Sequence, residues 1–125
     1  MRDVLLVAIG GALGSVARWG VSSWAARLAP QTGFPWGTLG VNLAGSAAIG
    51  FVLTLAFERN AVPVPMRLFL VTGLLGGFTT FSAFAWETLA LARDGHTFTA
   101  AGYVAGSVVG GLLAAAGGAA LAARV

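Results

Sequence analysis

Two lines of hydrogen-bonding side chains and one glycine-rich stretch carry what chemistry this chain has. Thr38, Asn42 and Ser46 recur at every fourth position, and Tyr103 and Ser107 repeat that spacing further on. Residues so spaced share one face of a helix. Asn42 is the most telling, because an amide in an apolar surrounding needs partners. Between the two lines runs Gly73-Leu-Leu-Gly-Gly-Phe-Thr-Thr-Phe-Ser-Ala-Phe84. Three glycines in five positions (Gly73, Gly76, Gly77) predict a helix break, since each lowers helix propensity by about 1 kcal/mol relative to Ala. Thr79 and Thr80 follow, with hydroxyls able to bond freed backbone groups. Phe81 and Phe84 then share a face of the helix that resumes. A single buried amide is accounted for by one interhelical hydrogen bond. Two polar lines beside a break predict a polar pathway instead, since broken helices at membrane depth line cavities or sit buried in protein. None of these groups titrates near neutral pH, which excludes a proton relay built from them.

The elements that hold these residues are set by composition. Hydrophobic residues make up 58% and charged residues 9%, against roughly 25% charged in soluble domains. Mean hydropathy is +0.88, so the chain reads as an integral membrane protein forming a single four-helix domain over residues 1–125. Four apolar spans are expected, each near the ~20 residues that cross a bilayer: Val4–Ala29, Trp36–Phe57, Met66–Leu91 and Phe98–Ala123, with a polar loop at Glu58–Pro65. The first is expected to be a transmembrane helix rather than a secretory signal, because three spans follow and Asp3 spoils a basic leader. There is no Cys, which excludes disulfides and thiolate metal sites. His96, the one histidine, builds no metal site alone. The net charge of +3 comes from seven scattered arginines. That pattern lacks the clustered basic face of a nucleic-acid binder.

Orientation follows arginines near the span ends. Arg2, Arg59, Arg67 and Arg124 fall on one side of the membrane; Arg27 and Arg93 fall on the other, with Arg18 inside the first span towards them. So slight a bias permits insertion both ways and an antiparallel dimer. Gly102, Gly106, Gly110, Ala114 and Gly118 form a smooth stripe, echoed by Gly40, Ala44 and Ala48 and by Gly10 and Gly14. Such faces let helices approach closely, and part of this surface is expected to serve a subunit interface. Arg18 and Glu87 are the charges within spans. They read either as interface anchors or as functional groups. Trp19, Trp24, Trp36 and Trp86 read as interface-belt residues.

Three blocks together resemble one family. Gly10-Gly-Ala-Leu-Gly-Ser-Val-Ala-Arg18, Gly37-Thr-Leu-Gly-Val-Asn-Leu-Ala-Gly45 and Gly76-Gly-Phe-Thr-Thr-Phe-Ser-Ala-Phe84 resemble the signature blocks of the Fluc (CrcB) fluoride channels, in that family's order. Length and span count match as well. The resemblance implies an all-α protein of four transmembrane helices, the third broken near Gly76–Thr79. It further implies an antiparallel, dual-topology homodimer in the bacterial inner membrane that passes fluoride through two pores and reduces fluoride toxicity. On the same footing, Phe81 and Phe84 match the pore aromatics, and Asn42, Thr38, Ser82, Tyr103 and Ser107 match polar pore positions. Gly76 and Thr79 match the positions whose main-chain carbonyls hold a structural sodium ion between subunits. Arg18 and Glu87 become vestibule charges, and membrane lipid surrounds the whole. Ala83 departs from the family pattern, which commonly has Thr there, and removes one hydroxyl from the third helix. Two other classes fit less well. A small proton-coupled multidrug transporter needs a carboxylate inside the first span, which has only Asp3 at its start. A non-transporting assembly subunit leaves the alignment of Asn42 with Thr38 and Ser46 unexplained. No nucleophile–base or carboxylate pair supports an enzyme.

Overall fold

The computed structural model describes residues 1–30 and 32–125, and among these it is all helical. We number the helices α1 (Arg2–Leu28), α2 (Trp36–Phe57), α3 (residues 64–78), α4 (Phe81–Arg93) and α5 (Thr97–Ala122). Residues 64–93 count as one span, so four helices are long and apolar enough to cross a membrane. The helices run up and down, with α1 packed on α3 and α2 packed on α5. Large apolar side chains from Val4 to Leu121 remain exposed along the outer faces. All four tryptophans are among them, Trp19 at 72% and Trp36 at 50%.

Helix ends follow local chemistry. Pro63 is the N-cap of α3 and Pro65 sits in its first turn, where a missing N–H costs no intrahelical bond. At the end of α4, Gly95 takes φ +84° and the His96 N–H returns to the Leu91 carbonyl, which turns the chain into α5. The middle of α3, Leu68–Leu75, is wound as a π-helix. Nothing in its run of Leu, Phe and Val announces that widening.

Gly76 and Gly77 stay helical; it is Thr79 (φ −85°, ψ 159°) and Thr80 (φ −152°, ψ 123°) that take extended geometry. Gly77 acts through contact instead of through backbone freedom. A Cβ on Gly77 would strike the Gly11 carbonyl, and one on Gly14 would strike the Leu74 carbonyl and lie 2.8 Å from the Phe78 nitrogen. On the other side of the bundle, a Cβ on Gly118 would strike the Ala47 carbonyl. Backbone so placed cannot yield as a flexible side chain can. Gly14→Ala and Gly118→Ala are therefore expected to destabilise by about 1–3 kcal/mol through overpacking. Gly20→Ala, with nothing within 4 Å of its new methyl, is expected to raise stability through helix propensity. Thermal unfolding in detergent measures all three. The expected stripe of small residues on the last span divides: Gly110 and Gly118 face α2, whereas Gly102 and Gly106 meet nothing within 4 Å.

Candidate functional site

A half-open cavity of about 400 Å³ lies where α2, the end of α3, the start of α4 and α5 converge. Asn42 and Ser46 come from α2, Gly76, Thr79 and Thr80 from the interhelical joint, Phe81 and Phe84 from α4, and Ser107 from α5. Its remaining walls are aliphatic, and no charged side chain lines it. The Ser107 Oγ is buried and has no hydrogen-bond partner among the described residues. The rings of Phe81 and Phe84 stand 5.6 Å apart and tilted by 49°. Phe81 is 79% exposed, so it projects from the chain rather than into a core.

The joint formed by residues 77–80 is held by side chains of other helices and by its own threonines. The Asn42 amide pairs with the backbone of Thr80 on both sides: its Nδ2 donates to the Thr80 carbonyl at 3.0 Å, and the Thr80 N–H donates to its Oδ1 at 2.8 Å. The Arg18 Nε donates to the Gly77 carbonyl at 3.1 Å. The Thr80 Oγ1 accepts from the Ala83 N–H at 3.2 Å and so caps α4. The Leu75 carbonyl accepts both the N–H and the hydroxyl of Thr79. These bonds divert the donors that a continuous helix would send to Gly76 and Thr79, because the Thr80 N–H goes to Asn42 and the Ala83 N–H to Thr80. The carbonyls of Gly76 and Thr79 thus keep no partner among the described residues, and both residues line the cavity. The start of α4 also places the positive end of its helix dipole there.

A second polar group lies beside the cavity. Thr38 Oγ1 and the Tyr103 hydroxyl each donate to one oxygen of the Glu87 carboxylate, both at 2.7 Å. Tyr103 is fully buried, with Phe34 and Phe84 packed against its ring at 5.4 and 5.2 Å. Two smaller cavities, of about 150 and 360 Å³, share Ser22, Thr38 and Glu87; Arg18 and Ala83 line the larger of them. A carboxylate is therefore kept in place by two hydroxyls, with a guanidinium lining the same hollow.

Residues 5–119 match the family described as CrcB-like protein, Camphor Resistance (CrcB). Similar relatives cover most of the chain. A protein of Paracoccus denitrificans (strain Pd 1222) is 54% identical over 114 residues, 91% of this chain and 89% of the relative. One from Anaeromyxobacter sp. (strain K) is 50% identical over 115 residues, 92% and 90% of the two chains. One from Chloroflexus aurantiacus (strain J-10-fl) is 48% identical over 114 residues, 91% and 90%. Each of the three is named a fluoride-specific ion channel, FluC. The chain belongs to the CrcB family.

In this CrcB chain, the residues singled out from sequence separate into two neighbouring groups. Asn42, Phe81, Phe84, Ser107, Gly76 and Thr79 gather around the main cavity. Thr38 and Tyr103 do not line it; they attend Glu87 instead. The three-residue line of Thr38, Asn42 and Ser46 is thus shared between both groups. Ser82 is exposed at the first turn of α4, with its hydroxyl 3.3 Å from that of Thr80. Arg18 reaches the Gly77 carbonyl across the first and third spans, which is more than anchoring at an interface. Phe34, which sequence reasoning passed over, packs on Tyr103 from the loop before α2. Its position between Gly33 and Pro35, just ahead of Trp36, was the available signal.

Proposed function

We propose that this chain is a fluoride-selective channel subunit, through which cytoplasmic fluoride leaves the cell passively and fluoride toxicity is reduced. The observation that carries this reading is the lining of the main cavity: neutral hydrogen-bond donors and two phenylalanines, with no charged group, in a chain whose relatives are named fluoride-specific ion channels. Such a surface holds a small anion without offering it a proton. Aromatic rings are positive at their edges, so Phe81 and Phe84 flank the anion by edge contact. Asn42, with one amide hydrogen beyond its bond to Thr80, and Ser107, with a free hydroxyl, donate to it. Ser82, Tyr103 and Thr38 extend the polar path, and Arg18 and Glu87 set the field of the vestibule. No proton coupling is needed, because an inside-negative potential favours anion exit by about 2.3 kcal/mol per 100 mV. This is transport and not catalysis.

The assembly we propose is an antiparallel homodimer in the bacterial inner membrane, made by one chain inserting in both orientations and enclosing two pores. The cavity's open side and the projecting Phe81 support it, since a second copy would close the one and cover the other. A sodium ion at the dimer centre fits the carbonyls of Gly76 and Thr79. They are neutral oxygen donors left without hydrogen bonds, and hard cations prefer such ligands. When bound, the ion would supply positive charge that satisfies these oxygens and ties two copies together.

Proteoliposomes loaded in parallel with fluoride or chloride, and opened with a potassium ionophore, test the reading. Fluoride efflux without chloride efflux is expected; no fluoride efflux above protein-free vesicles would overturn it. Replacing sodium by N-methylglucamine throughout purification is expected to weaken efflux or the dimer. Full activity with an intact dimer would remove the ion from the proposal and leave the channel standing.

A further inference from the structure

A groove of about 300 Å³ opens between α2 and α3 at the membrane end that carries Arg59, Arg67 and Arg124. Leu53 and Phe57 line it from α2, and Leu68, Val71 and Thr72 from α3. The Arg67 guanidinium sits 4.9 Å above the Phe57 ring, and Phe57 is itself 65% exposed. No acidic residue lines the groove. The arginines that do make hydrogen bonds use them elsewhere: Arg59 donates to the Ala123 carbonyl at 2.6 Å, and Arg18 to Gly77. Arg67 has only its ring contact among the described residues. A guanidinium stacked on an aromatic face keeps its in-plane N–H groups free, and those match a phosphate oxygen pair.

We propose that this groove is a binding site for an anionic phospholipid, its phosphate on Arg67 and the upper part of one acyl chain along Leu53, Leu68 and Val71. Charge complementarity selects the occupant. An uncharged apolar groove accepts any lipid chain, but a free cation at its mouth, near the level of the headgroups, favours a lipid with net negative charge. Stacking on Phe57 holds the guanidinium over the groove instead of letting it extend into water. The site shares only Val71 with the anion cavity, and its test does not depend on channel activity.

The test is native mass spectrometry of the full chain extracted from equimolar phosphatidylglycerol and phosphatidylcholine with identical acyl chains. The ratio of the two lipids retained is read within each sample, so differences in yield do not enter. Wild type is expected to retain the anionic lipid about fivefold over the zwitterionic one, the ratio that ~1 kcal/mol per basic residue gives. Arg67→Gln should bring the ratio near one. Thr72→Trp, which fills the groove and leaves the charge, should reduce retention of both lipids. Arg93→Gln, at the opposite membrane end, should keep the wild-type ratio. A wild-type ratio near one would overturn the proposal without any variant. So would an unchanged ratio in Arg67→Gln, or an equal fall in Arg93→Gln, which would mean diffuse surface charge. Loss of dimer in Arg67→Gln at an unchanged lipid ratio would also overturn it, and would assign the groove to a second copy of the chain.

Discussion

Replacing Phe81 or Phe84 with Ile is expected to cut fluoride efflux by roughly tenfold or more, equivalent to about 1.4 kcal/mol on the barrier. Isoleucine keeps apolar bulk but lacks a positive ring edge, so the change isolates the quadrupole from mere filling of space. The two positions differ in what else they do. Phe81 is 79% exposed, so its loss removes little packing within the chain. Phe84 packs against Tyr103 at 5.2 Å and against the cluster of Leu91 and Ala100, and its replacement should also lower the unfolding temperature. A flux defect at Phe81 with unaltered unfolding is therefore the cleanest signature. The double Ile variant, eluting as wild type on size exclusion yet passing fluoride at the wild-type rate, would reduce both rings to packing.

The second large effect is expected at Asn42. Its amide is the partner of both backbone groups of Thr80. Asn42→Ala would leave the Thr80 N–H unpaired in a half-buried joint, at roughly 1–3 kcal/mol, and would leave the Thr80 carbonyl only the first intrahelical bond of α4. Asn42→Asp keeps an acceptor for the Thr80 N–H but turns a carboxylate oxygen towards the Thr80 carbonyl. Both variants should lose most fluoride efflux and also unfold at lower temperature in detergent. A residue serving only as a donor to the passing ion would show the first loss without the second. An unchanged unfolding temperature in Asn42→Ala would therefore refute the positioning role derived from the Thr80 pair. Asn42→Asp should be the worse of the two, since it places a negative charge beside an anion path.

How much of this was readable in the chain depends on the range of the interaction. The four spans were legible because hydropathy is a local sum: Trp36–Phe57 is bounded in the structure as in the sequence, and the others differ by one to a few residues. The face shared by Asn42 and Ser46 was legible because helical spacing is also local. Partners were not. Arg18 and Gly77 lie 59 residues apart, Thr38 and Glu87 49, and periodicity reveals which side chains share a face without revealing what that face meets. Glu87 shows the cost. As one of two charges set in from the span ends it was visible at once, but its two hydroxyl donors come from α2 and α5. The glycines show the reverse error. Gly76 and Gly77 carry a low helix propensity and remain helical; close approach of α1 decides the identity of Gly77, whereas a Cβ on Gly76 would meet only the Val71 carbonyl of its own span at 3.7 Å. The π-wound stretch Leu68–Leu75 left no compositional trace at all.

The groups that satisfy the backbone of residues 77–80 have a consequence for how the chain matures. Asn42 belongs to α2 and Arg18 to α1, so neither is at hand while residues 64–93 sit alone in lipid. There, an unpaired backbone polar group costs several kcal/mol. The solitary segment therefore minimises its energy as one continuous rod. The extended pair can arise only when the first two spans dock against it, exchanging intrahelical bonds for side-chain ones. The joint around which the cavity forms is thus a late product of assembly, and a newly inserted chain cannot conduct before its helices have come together.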